Sequence, residues 1–304
     1  MEHRWALRPL GALTVVAVLA ACGAAEEAGA PSAASPGTQP SASASVTPSQ
    51  TPTSSPSPKV PKLSGRPILG GAPPGWLGTR ILPRTAGGFG EVRPTPPELV
   101  QRRFTLPDHL PALPGDGFEA RVDTPAPAEV ISRSTWREGC PVAATDLSWL
   151  RLTFWGFDGR RHTGELLVNR SVTEEMVTVF RRLYAARYPV EEMRVTRLDE
   201  LDAPPTGDGN TTGAFACRPT TGGSSYSQHA YGLAIDVNPF QNPYLKGDVV
   251  LPELASSYLD RTWVRPGMIT ANGPVVRAFA EVGWPWGGAW RSLRDYQHFS
   301  QNGR

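Results

Sequence analysis

The sequence is short of several things that would each point to a function. It has no excess of charge: 30 Lys and Arg against 28 Asp and Glu leave a formal net charge of +2. It has no basic run either, which removes the electrostatic footprint that nucleic-acid binding needs. Cysteine is scarce, with three in 304 residues, too few for a disulfide-built scaffold. The H-E-x-x-H zinc signature is absent. Long apolar runs are missing too: the G-A-L-T-V-V-A-V-L-A stretch is too short to span a bilayer comfortably.

What is present at the N-terminus reads as export. His3, Arg4 and Arg8 precede that apolar stretch, which ends in Leu19-Ala20-Ala21-Cys22. Small residues followed directly by cysteine resemble the lipobox of bacterial lipoproteins, so residues 1–21 are expected to be a signal peptide and Cys22 the lipidation site. The expected location is the outer face of the bacterial cell membrane. Residues 22–62 are Ser, Thr, Pro and Ala with almost nothing large to bury, so they are expected to be a disordered tether. If Cys22 carries lipid, Cys140 and Cys217 remain, and an oxidising compartment favours pairing them.

Residues 63–125 are rich in Pro and Gly and show little periodicity, which suggests an irregular arm over the core. Residues 126–304 are better ordered. L-S-W-L-R-L-T-F-W-G-F and R-R-H-T-G-E-L-L-V flank Asp158-Gly159, a turn dipeptide, and predict a β-hairpin. Met176, Val177, Phe180, Leu183 and Tyr184 recur at helical spacing after a Ser171/Glu174 capping box. A second helix is expected from Pro274 to Val282, capped by Asn272 and ended by Gly283. His162, after the hairpin turn, is read as a structural histidine. The elements add up to an α+β fold with a small, mostly antiparallel sheet flanked by helices.

The chemistry concentrates in two stretches. In S-Q-H-A-Y-G-L-A-I-D-V-N-P a strand would put Leu233, Ile235 and Val237 on a core face. Gly232, Ala234 and Asp236 would share the other face, with room for an ion above it. An unpartnered carboxylate there would be costly, so a cation or a buried hydrogen-bond network must satisfy Asp236. Near the C-terminus, Asp295 and His298 are spaced so that one helical turn would point them to the same side. His229, Asp236 and His298 match the ligand count of a catalytic zinc site, and Asp295 is left over as a base. Spacing alone equally allows a core His229 satisfied by Asp236 and a surface His298.

At these residues the sequence resembles a known family. Ser227, His229, Gly232, Ala234 and Asp236 form S-x-H-x-x-G-x-A-x-D, and Asp295, His298 and Phe299 form D-x-x-H-F. The pattern is similar to that of the M15 zinc peptidases, which include D-alanyl-D-alanine carboxypeptidases and L-alanyl-D-glutamate endopeptidases. The Trp284, Trp286, Gly287, Gly288, Trp290 cluster and the T-G-A-F-A-C-R-P segment around Arg218 strengthen the likeness.

The resemblance implies a Hedgehog/DD-peptidase-like fold with zinc on the open face of the sheet. It implies His229, Asp236 and His298 as Zn2+ ligands, Asp295 as general base toward metal-activated water, and Arg218 as electrostatic stabiliser. The implied substrate is a peptidoglycan stem peptide, for a monomer tied to the membrane at Cys22. Ser227, Tyr231 and Trp286 are candidates for the groove that holds it. A wall-binding lipoprotein that keeps the zinc and cleaves nothing is the alternative, and Asp295 argues against it. Ala289 stands where related sequences often carry an acid.

Overall fold

The computed structural model describes residues 70–304. The expected signal peptide, the Cys22 lipidation site and the tether lie outside the described residues. Among the described residues no helix is long and apolar enough to cross a membrane.

In chain order, the longer helices are α1 (Pro97–Val100), α2 (Ala128–Arg133), α3 (Thr173–Ala185) and α4 (Pro274–Glu281). The strands are β1 (Ala120–Asp123), β2 (Leu147–Gly156), β3 (Arg161–Asn169), β4 (Pro189–Val190), β5 (Glu192–Met193) and β6 (Thr211–Thr212). Then follow β7 (Ala234–Asp236), β8 (Tyr244–Lys246), β9 (Val249–Leu251), β10 (Arg294–Asp295) and β11 (His298–Ser300). The class is mixed α+β, as expected. In place of one small sheet there are several. β1, β2 and β3 are antiparallel neighbours with β4 parallel to the end of β2. Three smaller sheets, β10-β8-β9, β7-β11 and β5-β6, make up the rest.

The expected hairpin is β2 and β3, paired from Leu147↔Asn169 to Trp155↔Arg161. Gly159 turns it at φ 73°, a left-handed conformation that a side chain rarely adopts, and the Asp158 carboxylate accepts from Arg160 N–H at 3.0 Å. On one face Leu150, Leu152, Phe154, Leu166 and Val168 join the main core, where α3 contributes Met176, Val179, Phe180 and Leu183. Val179 takes the fully buried place expected for Val177 and Tyr184, because the helix is rotated slightly from the periodicity read in the sequence. The expected Ser171/Glu174 capping box is replaced: Asn169 Oδ1 accepts from Ser171 N–H and hydroxyl, opening a 3-10 turn ahead of α3. α4 buries Val275, Ala278 and Phe279; its N-cap is Gly273 rather than Asn272. Gly283 follows it at φ 80°.

The Pro/Gly-rich stretch packs closely. Leu82, Leu99 and Phe104 form an apolar cluster with Phe240, Leu254, Tyr258 and Met268. Arg102 is fully inside, forked onto the Glu191 carboxylate at 2.8 and 2.6 Å. Its third nitrogen donates to Asp208 O at 2.7 Å.

Candidate metal centre

The site grows from the pairing of β7 with β11. Ile235 and Val237 are fully buried in the main core, as the alternation predicts, while Asp236 turns to the opposite face. The register sets His298 directly across from Asp236, and directly opposed side chains on one face are neighbours. The helical turn expected for Asp295 and His298 is not formed. They sit on two short strands, β10 and β11, and reach the site through sheet pairing instead.

His229 arrives by another route. Ser227 Oγ accepts from His229 N–H at 3.3 Å and caps a 3-10 turn, Gln228–Tyr231. Gly232 ends that turn at φ 69° rather than starting a strand. A Cβ on Gly232 would lie 2.5 Å from Asn169 N, so the turn can dock on β3 only with glycine there.

Two backbone oxygens orient the imidazoles. A carbonyl or carboxylate oxygen can only accept, so His229 Nδ1–H donates to Ala214 O at 2.6 Å and His298 Nε2–H donates to Arg304 O at 3.3 Å. The other ring nitrogens then face inward with their lone pairs: His229 Nε2 and His298 Nδ1 stand 3.2 Å apart. The Asp236 oxygens lie 3.3 Å from the first and 3.1 Å from the second. One ligand atom from each residue lies within 4.8 Å of the others. Two unprotonated imidazole nitrogens aimed at each other beside a carboxylate is an arrangement that a cation between them relieves. The donor set, two nitrogens and one oxygen, fits a zinc-type ion. Without a cation the facing imidazole nitrogens can instead carry protons toward Asp236. Burial pushes its carboxyl up, but protonated imidazoles outweigh burial and hold it well below the usual carboxylate range.

Asp295 stands beside this trio. Its Oδ1 is buried with no hydrogen-bond partner. Burial first, then the neighbouring Asp236 charge, push its carboxyl up to about 7. The tryptophan-glycine motif explains how it gets so close. A Cβ on Gly287 would come within 2.8 Å of Asp295 O and 3.3 Å of His298 Cβ, so the Gly287–Ala289 turn packs against the backs of both residues.

These groups share one groove of about 990 Å³, with Arg218 and Ser227 among its lining residues. Arg218 is half-buried, and its charge opposes the upward shift at Asp295. Its backbone is fixed on both sides. Cys140 and Cys217 form the expected disulfide, with Cα atoms 5.9 Å apart. The Tyr226 hydroxyl donates to Gly139 O at 2.8 Å, so one turn holds both ends of the Arg218–Tyr226 loop. Of the expected aromatic contacts, Tyr231 and Trp286 do not line the groove. Trp286 packs on the main core and donates its indole N–H to Tyr296 O at 2.8 Å, satisfying its one polar atom there. Tyr244 and Trp290 line it instead; the Trp290 ring centroid lies 5.4 Å from that of His298. Sequence reasoning missed the orienting backbone oxygens of Ala214 and Arg304, for which side-chain patterns carry no signal. Tyr244 was missed because only its pairing opposite Asp295 brings it in. Ala289 is exposed. His162 lies apart from the site, between the Asp108 and Asp158 carboxylates at 2.8 and 3.1 Å.

Residues 221–301 match the M15 peptidase family model described as D-alanyl-D-alanine carboxypeptidase. The matched segment holds His229, Asp236, Asp295 and His298, while Arg218 precedes it. No curated protein and no solved structure matches the chain.

Proposed function

We propose, from a chain whose residues 221–301 fall in the M15 peptidase family, that the protein is a zinc-dependent peptidase acting on peptidoglycan stem peptides. The observation that carries this reading is the convergence of His229 Nε2, Asp236 and His298 Nδ1 within the matched segment, with Asp295 beside them holding one buried, unpartnered oxygen. Export and the lipid anchor rest on the sequence of residues 1–22.

A zinc ion held by these three residues would supply Lewis acidity, polarising the scissile carbonyl and making water acidic at neutral pH. The chain's own groups do the rest. Ala214 O and Arg304 O keep each imidazole turned so that its free nitrogen, not its N–H, faces the centre. Asp295 would take a proton from the attacking water and return it to the departing amine; a carboxyl shifted upward by burial is suited to both transfers. A cation at the three ligands would offset the Asp236 charge and so ease Asp295 back toward its ionised, proton-accepting form. Arg218 would donate its planar fork to the carbonyl oxygen as negative charge develops, or to a substrate carboxylate.

The test is incubation of the full chain with peptidoglycan and with pentapeptide stems, read by mass spectrometry. The expected product is either released D-alanine or a cut between L-alanine and the glutamyl residue, absent with Asp295→Ala. Intact substrates with stoichiometric zinc bound would replace this reading by the non-catalytic wall-binding one.

A further inference from the structure

The groove reaches well past the metal centre, and a separate part of the chain holds its far end. Two of its wall segments, Pro205–Gly209 and Leu251–Glu253, carry lining residues and meet where Leu254 N–H donates to Gly207 O at 2.9 Å. Both are short: Leu251 ends β9, and Asp208 of the other wall accepts from Gly78 N–H and Arg102 at 2.8 and 2.7 Å. Residues 82–91 fasten them from outside. That stretch is a small hairpin: Arg84 and Gly90 bridge antiparallel, and Thr85 N–H donates to Phe89 O at 2.7 Å.

The hairpin takes hold of each wall separately. Leu82 N–H donates to Pro205 O at 2.8 Å. Gly90 N–H donates to Glu253 Oε1 at 2.8 Å, and Arg93 N–H to Glu253 O at 3.3 Å. The fit leaves no slack. A Cβ on Gly90 would lie 2.7 Å from Glu253 Oε1 and 3.1 Å from Pro205 Cβ, wedged between the two walls. A Cβ on Gly207 would lie 2.5 Å from Leu82 Cδ1. No residue of the hairpin itself lines the groove.

Register places this end relative to the chemistry. Tyr244 pairs with Asp295 on one side and with Leu251 on the other. Leu251 is therefore two strand spacings, about 10 Å, from Asp295. An extended peptide covers that span in about three residues. A substrate running from the metal centre toward Leu251 would meet the wall only if it extends about three residues that way.

We propose that the 82–91 hairpin is a specificity-determining staple. It fixes the Pro205–Gly209 and Leu251–Glu253 walls and so favours long stem peptides over short ones. The proposal rests on the peptidase reading of the groove. Leu82 and Gly90 act through the walls and are positioning residues.

The experiment compares full-chain parent with Gly90→Val on a pentapeptide stem and on the dipeptide that spans its cleaved bond, with zinc content measured for each. The expected result is a rise of about tenfold in KM for the pentapeptide with kcat little changed. Dipeptide kinetics and zinc content stay at parental values. Leu82→Ala loosens the same staple without adding bulk, and gives the same split if Gly90→Val does not fold. Equal losses on both substrates, or no change on either, overturn the proposal. If the parent cleaves neither substrate, the peptidase reading fails by itself. Calorimetric binding of the pentapeptide then decides: weaker binding by about tenfold to the variant upholds the staple, and equal or absent binding overturns it.

Discussion

Two carboxylates with buried oxygens are treated in opposite ways in this molecule. Glu191, in the network beneath the Pro/Gly-rich stretch, has both oxygens engaged, by the Arg102 fork at 2.8 and 2.6 Å and by Asn210 Nδ2 at 2.7 Å. The exposure of the Arg102 and Glu191 side chains is 1% and 0%, so neither has water to fall back on. Asp295 is half-buried, but its Oδ1 is shut off from water and has no partner. Burial works against the charged form of both. Only Glu191 is given a full counter-charge with matching geometry. A buried charge with both oxygens hydrogen-bonded is a structural joint. A buried carboxyl left partly unpaired costs stability, and the fold keeps it where chemistry can use it.

Breaking the unpaired member should cost activity and not stability. Asp295→Asn is expected to lower kcat on stem peptides by about a thousandfold, within the range that a positioned acid-base group supplies. Its melting temperature should hold or rise, because a desolvated charge is removed. A large drop in melting temperature would make Asp295 a structural residue and erase the contrast.

Breaking the paired member should do the reverse. Arg102→Ala strands the Glu191 charge in an apolar setting and is expected to cost about 3–5 kcal/mol of stability in denaturant unfolding. Zinc binding by protein that remains folded should be unchanged, since the metal ligands lie on other elements. A cost below about 1 kcal/mol, the level of an exposed ion pair, would mean that the network carries no weight.

A third carboxylate arrangement sharpens the comparison at smaller scale. The Asp108 hydrogen bond raises the His162 pKa against the opposing effect of burial, and Asp158 adds to the rise. The group's folded pKa lies above its ordinary value. Its stabilising contribution is therefore whole below the ordinary histidine range and is lost as pH climbs through the raised value. His162→Gln should thus lower the melting temperature more at mildly acidic than at mildly alkaline pH. A pH-independent difference would show that the imidazole acts only through packing against Phe154.

Much of the site could be read before the structure. Asp236 was legible because a carboxylate beside small residues in an apolar strand demands a partner. His229, Asp295 and His298 joined it through the resemblance to the M15 pattern, since spacing alone equally allowed a core and a surface histidine. The hairpin was legible because Asp158-Gly159 joins two alternating runs. Errors arose where local pattern meets tertiary context. Asp295 and His298 have helical spacing but are drawn into separate strands by Tyr244 and Asp236. Trp286 looks like a groove aromatic, yet its ring finds a better place in the core. Ser171 looks like a cap, and Asn169 is better placed to be one.

The sequence by itself determined the kinds of chemistry available: which side chains can hold a cation, which can move a proton, and where glycine must let chain segments approach. Those are properties of residue types and their immediate neighbours, and they survive any fold. Only the tertiary structure decided that Asp236 and His298 face each other, that backbone oxygens of Ala214 and Arg304 aim the imidazoles, and that Asp295 keeps an unpaired oxygen. It also decided that a hairpin at residues 82–91 grips both walls of a groove it never enters. Each of these depends on register between segments far apart in the chain. Register is set by the packing of the whole core, not by local pattern.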